Sequence, residues 1–273
     1  MYEFGNLYWC KISNKETGNM LLVIDLGNTT LTLGLFKKGE IIHQWRLSTD
    51  HQRTEDEFGL QFLGLMETCS CSPEDLEGII LSSVVPPLTE WVFKACEDYL
   101  KITPVLVNSE LKFNIKILYD NPNAVGADRI ADAVAVQTKY GGPACVIDFG
   151  TATTFNALTE NAEYQGGAIM PGIGTAAEAL VMRAAKLPPV ELVAPPSVIG
   201  RNTVHAMQAG LIFGYVALVE GMVDRFRKEL GANMKVIGTG GHIQRIADQT
   251  NVFDHIDPWL TLEGLRIIWE MNH

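Results

Sequence analysis

The sequence predicts an α/β protein made of two duplicated lobes that face each other across a cleft. Residues 21–30 (LLVIDLGNTT) and residues 144–153 (ACVIDFGTAT) share one outline, an apolar run followed by Asp, Gly and small polar residues. Each apolar run is typical of a buried strand, and the Gly lets the backbone turn tightly and approach a ligand. A strand end that offers a carboxylate and short hydrogen-bonding groups suits a cation and phosphates. We therefore expect a nucleotide between the two lobes.

The composition is that of a soluble globular protein with room for two cores. The chain has 273 residues, of which 47% are hydrophobic and 19% are charged. Its formal net charge of -11 argues against a general nucleic-acid binder, which usually has a basic surface. The five cysteines lack zinc-knuckle spacing, which favours free thiols in a reducing cytoplasm. No apolar run approaches the roughly twenty residues of a membrane helix, so we expect no membrane segment.

Residues 1–19 are predicted to be an N-terminal extension outside the fold. They mix polar, aromatic and Lys residues without a continuous apolar core, which is not typical of a signal peptide. Met20 stands directly before the first apolar run. We accordingly predict an N-terminal lobe over residues 20–140 and a C-terminal lobe over residues 141–273.

The N-terminal lobe is predicted to be rich in strands, with helices between them. Thr54 and Glu57 form a capping-box pattern that begins a helix ending near Met66. The pair Pro86-Pro87 is expected to stop the preceding strand. The remaining predicted elements are strands at 21–24, 32–37, 41–48, 78–85 and 104–107, a hairpin turn at 38–40, and helices at 91–100 and 126–140.

The C-terminal lobe is predicted to start with a strand near Cys145 and to contain a long helix at 203–230. Small residues recur along that helix, which favours close helix packing. Proline pairs before it indicate loops. A strand at 235–237 leads into the glycine run 238–241 and a helix, and a last helix is predicted at 262–271.

Three junctions between a strand and glycines, at 25–29, 148–154 and 238–241, therefore follow one another along the chain. This order resembles the superfamily of sugar kinases, heat-shock ATPases and actin, whose duplicated ribonuclease H-like lobes carry two phosphate motifs and an adenosine motif. From Met20 to the C-terminus the sequence more specifically resembles type III pantothenate kinase. The motifs that carry this resemblance are Asp25-x-Gly27-Asn28-Thr29, Gly126-x-Asp128-Arg129, 148–154 (DFGTATT) and Gly238-x-Gly240-Gly241.

The resemblance implies an actin-like ATPase fold and an activity. The expected reaction is ATP-dependent phosphorylation of pantothenate to 4'-phosphopantothenate, the first step of coenzyme A synthesis. Asp128 is predicted to be the general base, because a carboxylate near the acceptor alcohol can take its proton. Asp25 is predicted to contact magnesium and phosphate. The predicted ATP-binding residues are Asp25, Leu26, Gly27, Asn28, Thr29, Thr30, Leu31, Thr32 and Thr151.

The substrate site is predicted around the Gly-x-Asp-Arg segment. The Arg129 guanidinium offers two parallel donors suited to the carboxylate of pantothenate. By resemblance, the substrate contacts are Tyr119, Gly126, Ala127, Asp128, Arg129 and Thr203. Asp132 lies on the same helical face as Asp128, and either a second cleft carboxylate or a structural residue fits that position. His242 is interpreted as a surface or packing residue.

The resemblance further implies cations, a partner subunit and a location. Asp148 is expected to help hold a monovalent cation (potassium or ammonium), and magnesium is expected with ATP. The family places its active site at a homodimer interface, and we expect a cytoplasmic enzyme. Two details depart from the family pattern: Asn156 stands where an acidic residue is common, and Arg201-Asn202 replaces a Lys-Ser type of pair.

Two alternatives remain. A different kinase or phosphatase of the superfamily would keep the two Asp-bearing turns but not the Gly126-x-Asp128-Arg129 motif. A non-enzymatic accessory factor for transcription would be expected to lose Asp25, Asp128 or Asp148, and all three are present. The acidic net charge also disfavours DNA contact.

Overall fold

The computed structural model describes residues 18–273, in which two β-sheets alternate with layers of helices. The strands are β1 (Met20–Leu26), β2 (Thr30–Lys37), β3 (Glu40–Ser48), β4 (Leu76–Ser83), β5 (Val105–Leu106), β6 (Lys116–Ile117), β7 (Ala144–Phe149), β8 (Ala152–Leu158), β9 (Glu163–Pro171), β10 (Lys235–Thr239) and β11 (His255–Ile256). The α-helices are α1 (Glu55–Thr68), α2 (Pro86–Ala95), α3 (Ala127–Lys139), α4 (Ile173–Arg183), α5 (Thr203–Leu230), α6 (Ile243–Ala247) and α7 (Leu260–Asn272). The predicted α/β class is confirmed. Of the predicted extension, residues 1–17 lie outside the described residues.

The two sheets repeat one topology. The first has the strand order β3-β2-β1-β4-β5, and the second contains the order β9-β8-β7-β10-β11, with β6 added beside β9. In each sheet the first two of these pairings are antiparallel and the last two are parallel. The sequence repeat thus corresponds to a structural duplication, as predicted.

Helices α3 and α7 pack together in the layer between the sheets. Helix α7 contacts β1, β2 and β4, whereas α3 contacts β4, β7 and β8. The two helices approach closely at Gly264, where an added Cβ would lie 1.9 Å from the carbonyl oxygen of Ala131. By sequence, α7 belongs to the predicted C-terminal lobe, but it packs on the first sheet. The division into lobes between residues 140 and 141 therefore stays a prediction.

The outer helices complete the layers. The core on the outer side of the first sheet contains buried residues of α1 and α2, and the core on the outer side of the second contains those of α5 and α6. Residues facing the middle layer form a third core shared by both lobes. The turns that follow β1 and β7 contact each other, since the hydroxyls of Thr29 and Thr151 are hydrogen-bonded.

Most predicted elements are confirmed, including the capping box of Thr54 and Glu57. Pro86-Pro87 was expected only to stop the preceding strand, but these residues also begin α2. Proline is tolerated in the first turn of a helix, because the backbone N–H groups there have no partner within the helix. A π-helical turn, Cys96–Leu100, follows α2. Strands β8 and β9 and helix α4 were not predicted.

Helix α5 differs from the expectation that no segment is long and apolar enough to cross a membrane. It has 28 residues and meets that criterion by length and composition. Half of its most apolar window is buried inside the protein, where it packs on the second sheet. Core helices of soluble proteins have the same character, so this single helix is weak support for a membrane segment.

Candidate active site

The two Asp-bearing strand ends open into one cleft of about 570 Å³ between the sheets. Many of the predicted site residues line it. Those residues are Asp25, Gly27, Asn28, Thr29, Thr30, Thr32, Asp128, Asp148 and Thr151. The first and second glycine motifs and the acidic residue of the Gly-x-Asp-Arg motif are thus brought together.

Strand register explains why each Asp faces the cleft with hydroxyl groups beside it. In the first sheet Asp25 pairs with Thr32 on β2, and in the second sheet Asp148 pairs with Thr154 on β8 and Thr239 on β10. Residues opposite one another on neighbouring strands share a face. Each strand end therefore presents a carboxylate in a row that also contains threonine.

The two glycine turns touch across the cleft. The Gly27 N–H donates to the Thr30 carbonyl and the Gly150 N–H to the Ala152 carbonyl, both at 3.0 Å, so a glycine N–H closes each turn and the second turn is one residue shorter. The hydroxyl oxygens of Thr29 and Thr151 are 2.6 Å apart and hydrogen-bonded. One small anion placed between the lobes could accept hydrogen bonds from both hydroxyls.

A third turn closes the cleft beside Asp148. Gly240 has φ +93°, and an added Cβ would lie 2.3 Å from a carboxylate oxygen of Asp148. Only glycine adopts this backbone conformation readily and also leaves room for the carboxylate. Gly240 therefore lets the backbone after β10 lie directly against the second Asp-bearing strand.

The first turn of α3 holds Asp128. Gly126 caps the helix, and a carboxylate oxygen of Asp128 accepts the Arg129 backbone N–H at 2.8 Å. One helical turn further on, buried Asp132 accepts a hydrogen bond from the Thr261 hydroxyl at 2.7 Å. Thr261 lines the cleft and Asp132 does not, so Asp132 reaches the cleft through Thr261.

The carboxylates in and beneath the cleft hold protons more tightly than usual. Burial raises the pKa of Asp25 to about 7, and the nearby Asp128 carboxylate adds to this effect. The pKa of Asp148 is likewise raised to about 7, first by burial and then by Asp128. Burial raises the pKa of Asp128 and, to a greater extent, that of Asp132. Such a group of acids is suited to a bound cation, which would favour the ionised forms.

These pKa shifts predict that the nucleotide-free protein loses stability as the pH rises from about 4 to 7. Between the unfolded pKa of about 3.9 and the folded value of about 7 for Asp25, the folded state binds more protons. Stability is therefore higher at the acidic end of this window. A pKa displacement of one pH unit corresponds to about 1.4 kcal/mol.

The measurement is the thermal midpoint at pH 5 and pH 8 for wild type and for Asp25→Asn, which removes one of these acids. We expect wild type to lose more than the variant over this range, and magnesium to reduce the wild-type loss. Equal pH dependence in the two proteins would contradict the shifted pKa of Asp25.

Arg129 lies beside the cleft and is held by neutral groups. Its Nε donates to the Asn156 Oδ1 at 2.6 Å, and the Tyr164 hydroxyl donates to the same oxygen at 3.0 Å. Arg129 is only 7% exposed, and its Nη2 is buried without a hydrogen-bond partner. Among residues 18–273 no carboxylate forms an ion pair with it. A buried, unpaired guanidinium is suited to an anionic ligand.

Other predicted site residues lie outside the cleft lining. Leu26 and Leu31 are fully buried in the outer core of the first sheet, because side chains alternate along a strand and their neighbours Asp25 and Thr32 face the cleft. Tyr119 packs near Tyr164, with ring centroids 6.5 Å apart. Gly126 and Ala127 begin α3, and Thr203 begins α5.

The cleft also contains residues that the sequence did not single out. Arg46, Trp259 and Thr261 line it, and so does His242, which had been interpreted as a surface or packing residue. Burial contributes most to lowering the pKa of His242, and the positive charges of Arg245 and Arg46 lower it further. Only the Gly run before His242 indicated a site locally. The other three reach the cleft through long-range packing.

A metal ion in this cleft would need ligands besides protein side chains. Within the described part of the chain, no three His, Cys, Asp or Glu side chains are grouped so that they could hold a metal. Magnesium in phosphotransferases usually keeps several waters and binds through one or two carboxylates plus substrate phosphates. The carboxylate of Asp25, which lines the cleft, fits that mode of binding.

Comparisons with known proteins identify a family and a fold. The sequence model described as type III pantothenate kinase matches residues 21–225. Among solved structures, a Baf family protein from Campylobacter jejuni, described as a transcriptional activator, aligns with a TM-score of 0.60 at 20% identity over 92% of this chain and 98% of its own. Component A of the (R)-2-hydroxyglutaryl-CoA dehydratase of Acidaminococcus fermentans aligns with a TM-score of 0.56 at 14% identity, over 94% and 100%. EutJ, an ethanolamine utilization protein from Carboxydothermus hydrogenoformans, aligns with a TM-score of 0.54 at 12% identity, over 90% and 89%. The predicted actin-like ATPase fold is confirmed.

Proposed function

The chain belongs to the type III pantothenate kinase family, and we propose that it transfers the γ-phosphoryl group of ATP to the alcohol of pantothenate, giving 4'-phosphopantothenate. The observation that carries this proposal is the meeting of the two glycine turns. Thr29 and Thr151 touch across the cleft, and Asp128 lines the same cleft. Phosphate-binding groups and a base are then within one site, which phosphoryl transfer requires.

Asp128 is the proposed general base. The acceptor oxygen forms a bond to the γ-phosphorus while the bond between that phosphorus and the β,γ-bridging oxygen breaks, and ADP leaves. The acceptor proton passes to the Asp128 carboxylate. Burial raises the pKa of Asp128 above its ordinary value, and this direction supports the role, because a carboxylate with a higher pKa is a stronger base.

The first glycine turn is proposed to bind the phosphates of ATP together with Thr151. The side chains of Asn28, Thr29, Thr30 and Thr32 supply donors, and Leu26, Gly27 and Leu31 shape the turn that holds these donors. Asp25 would hold magnesium, which neutralises phosphate charge when bound.

Asp148 is proposed to help hold a monovalent cation, potassium or ammonium. Its burial and the contact of Gly240 with its carboxylate support a closed oxygen-rich environment. Such a cation would counter the charge of the neighbouring acids. We expect potassium or ammonium to stimulate activity relative to sodium.

The pantothenate carboxylate is proposed to bind Arg129. The buried guanidinium, which has no ion pair among residues 18–273, supports this assignment. By family resemblance, Tyr119, Gly126, Ala127 and Thr203 complete the substrate site.

A homodimer is proposed to complete the pocket. Six exposed large apolar side chains lie between positions 180 and 204, a stretch that includes Thr203, which is predicted to contact the substrate. They are Leu180, Met182, Val193, Val198, Ile199 and Val204. A concentration of exposed apolar side chains is typical of a protein interface.

If this surface forms the dimer interface, the double variant Met182→Glu, Ile199→Glu should disrupt the dimer. Met182 is 80% exposed and Ile199 is 76% exposed, so charge there should not disturb the fold but should oppose burial in an interface. We expect a monomer by size-exclusion chromatography with light scattering, and a loss of pantothenate turnover. Leu60→Glu, at a 63% exposed site on α1, is the matched control and should stay dimeric. A dimeric double variant would contradict the assignment of this surface.

We propose a cytoplasmic enzyme whose partners are ATP, pantothenate and a second copy of the chain. Nucleic acid and membranes are not proposed as partners. The acidic net charge and the burial of α5 support this choice.

Mass spectrometry of the reaction product tests the proposed reaction. After incubation with ATP and magnesium, we expect pantothenate to gain one phosphate. The alternative, another small-molecule kinase of the superfamily, predicts no change in pantothenate and phosphorylation of a member of a sugar or polyol panel.

A further inference from the structure

We propose that Arg46 binds the polyphosphate chain of the nucleotide in the cleft, an inference that rests on the nucleotide-binding part of the proposed function. Arg46 lies on β3 and is the only Lys or Arg among the described residues that line the cleft. The carboxylates of Asp25, Asp128, Asp148 and Glu178 line the same space. A triphosphate entering this acidic cleft needs a positive group, and Arg46 is placed to supply one.

Strand register puts Arg46 in the same row as Asp25. Asp25 pairs with Thr32, and Thr32 pairs with Arg46 on the next strand. Paired residues share a face of the sheet, so the carboxylate, the hydroxyl and the guanidinium belong to one side. That side faces the cleft, which all three residues line.

The duplicated lobe shows that the fold does not require an arginine at this place. In the second sheet Asp148 pairs with Thr154, and Thr154 pairs with Ile169. Ile169 therefore occupies the position equivalent to Arg46, and it is apolar and 63% exposed. The charge of Arg46 is thus specific to one lobe, as expected of a ligand-binding group.

The guanidinium is positioned by neutral partners. Its Nη2 donates to the Pro258 carbonyl at 3.3 Å, and its central carbon lies 4.4 Å from the centre of the Trp259 ring. Over residues 18–273 no carboxylate lies within ion-pair distance of Arg46. The side chain is held in place while its charge and remaining N–H groups stay available to phosphate oxygens.

Arg46 also lies near the third glycine turn. An added Cβ on Gly241 would be 3.6 Å from Nη1 of Arg46. The guanidinium therefore bridges from the first lobe to the turn predicted to contact adenosine. A nucleotide with its base at this turn and its phosphates at Thr29 and Thr151 would pass Arg46.

The test is the affinity of Arg46→Gln for ATP and for AMP, each with magnesium, measured by calorimetry without any acceptor. Arg53→Gln is the matched control. Arg53 lies in the same lobe, and like Arg46 it contacts an aromatic ring and donates a hydrogen bond to a neutral oxygen. The ring is that of Phe58 and the oxygen is the Oε1 of Gln61. Arg53 does not line the cleft. Thermal midpoints of both variants report any general loss of stability.

We expect Arg46→Gln to weaken ATP binding at least about tenfold, the loss typical of one charged hydrogen-bonding group. AMP lacks the β- and γ-phosphates, so the affinity of Arg46→Gln for AMP should fall much less. The control Arg53→Gln should bind both nucleotides as tightly as wild type does. Equal losses for ATP and AMP, or no loss for either, would overturn the proposal. Absence of ATP binding by wild type would instead refute the proposed function.

Discussion

Replacing Asp128 by Asn is expected to lower kcat for pantothenate phosphorylation by about 10²–10⁴-fold, the usual contribution of a general base. The amide is nearly the same size as the carboxylate and can still accept the Arg129 backbone N–H that Asp128 accepts at 2.8 Å. It cannot take the acceptor proton. Because the phosphates are assigned to the glycine turns, the Kd of ATP should change little.

The measurement combines steady-state kinetics with ATP calorimetry on the same preparation. Asp56→Asn is a matched control, because Asp56 is the second residue of α1 as Asp128 is the second residue of α3, and it does not line the cleft. Asp56→Asn should retain wild-type kcat. Full activity in Asp128→Asn would remove Asp128 from the role of base.

Replacing Asn156 by Asp is expected to raise the KM for pantothenate by about tenfold or more, the value of a charged hydrogen bond, with a smaller effect on kcat. Asn156 Oδ1 accepts hydrogen bonds from the Arg129 Nε and the Tyr164 hydroxyl. An aspartate of the same shape can accept both and would neutralise the guanidinium. Arg129 would then attract the substrate carboxylate less strongly.

A neutral acceptor separates this effect from a general disturbance of the site. Pantothenyl alcohol, in which a hydroxyl replaces the carboxylate, should show little change in KM between wild type and Asn156→Asp. Asn114→Asp is the control, because it makes the same substitution at a partly buried amide. The Asn114 amide donates to the hydroxyl of Thr138, near the C-terminal end of α3. This variant should leave both KM values unchanged. Equal KM increases for the acid and the alcohol would contradict carboxylate recognition by Arg129.

The features that the sequence predicted well are those encoded locally. Asp25 and Asp148 each end an apolar strand and precede a glycine turn, so a short motif is enough to place them. Asp128 begins an apolar helix, and its position in the first helical turn follows from the motif alone. The recurrence of the first motif also indicated the duplicated topology.

What the sequence did not predict depends on contacts between distant segments. Arg46 enters the cleft because three strands pair in register and because Trp259, more than two hundred residues later, stacks on it. Strand β9 contains Gly166 and Gly167, which disfavour a strand locally, and pairing with β8 and with the distant strand β6 stabilises it. Conversely, the motif that marks residues 25–32 does not distinguish side chains that face the cleft from Leu26 and Leu31, which face the core.

The most direct test of the central claim is ADP release from ATP and magnesium, measured with and without pantothenate and in potassium or sodium buffer. If the cleft is a pantothenate kinase site, release will require pantothenate and will be faster in potassium than in sodium. Absence of pantothenate-dependent release from a folded, ATP-binding sample would contradict the proposed reaction. Pantothenate-dependent release at equal rates in the two salts would contradict the monovalent-cation role of Asp148 alone.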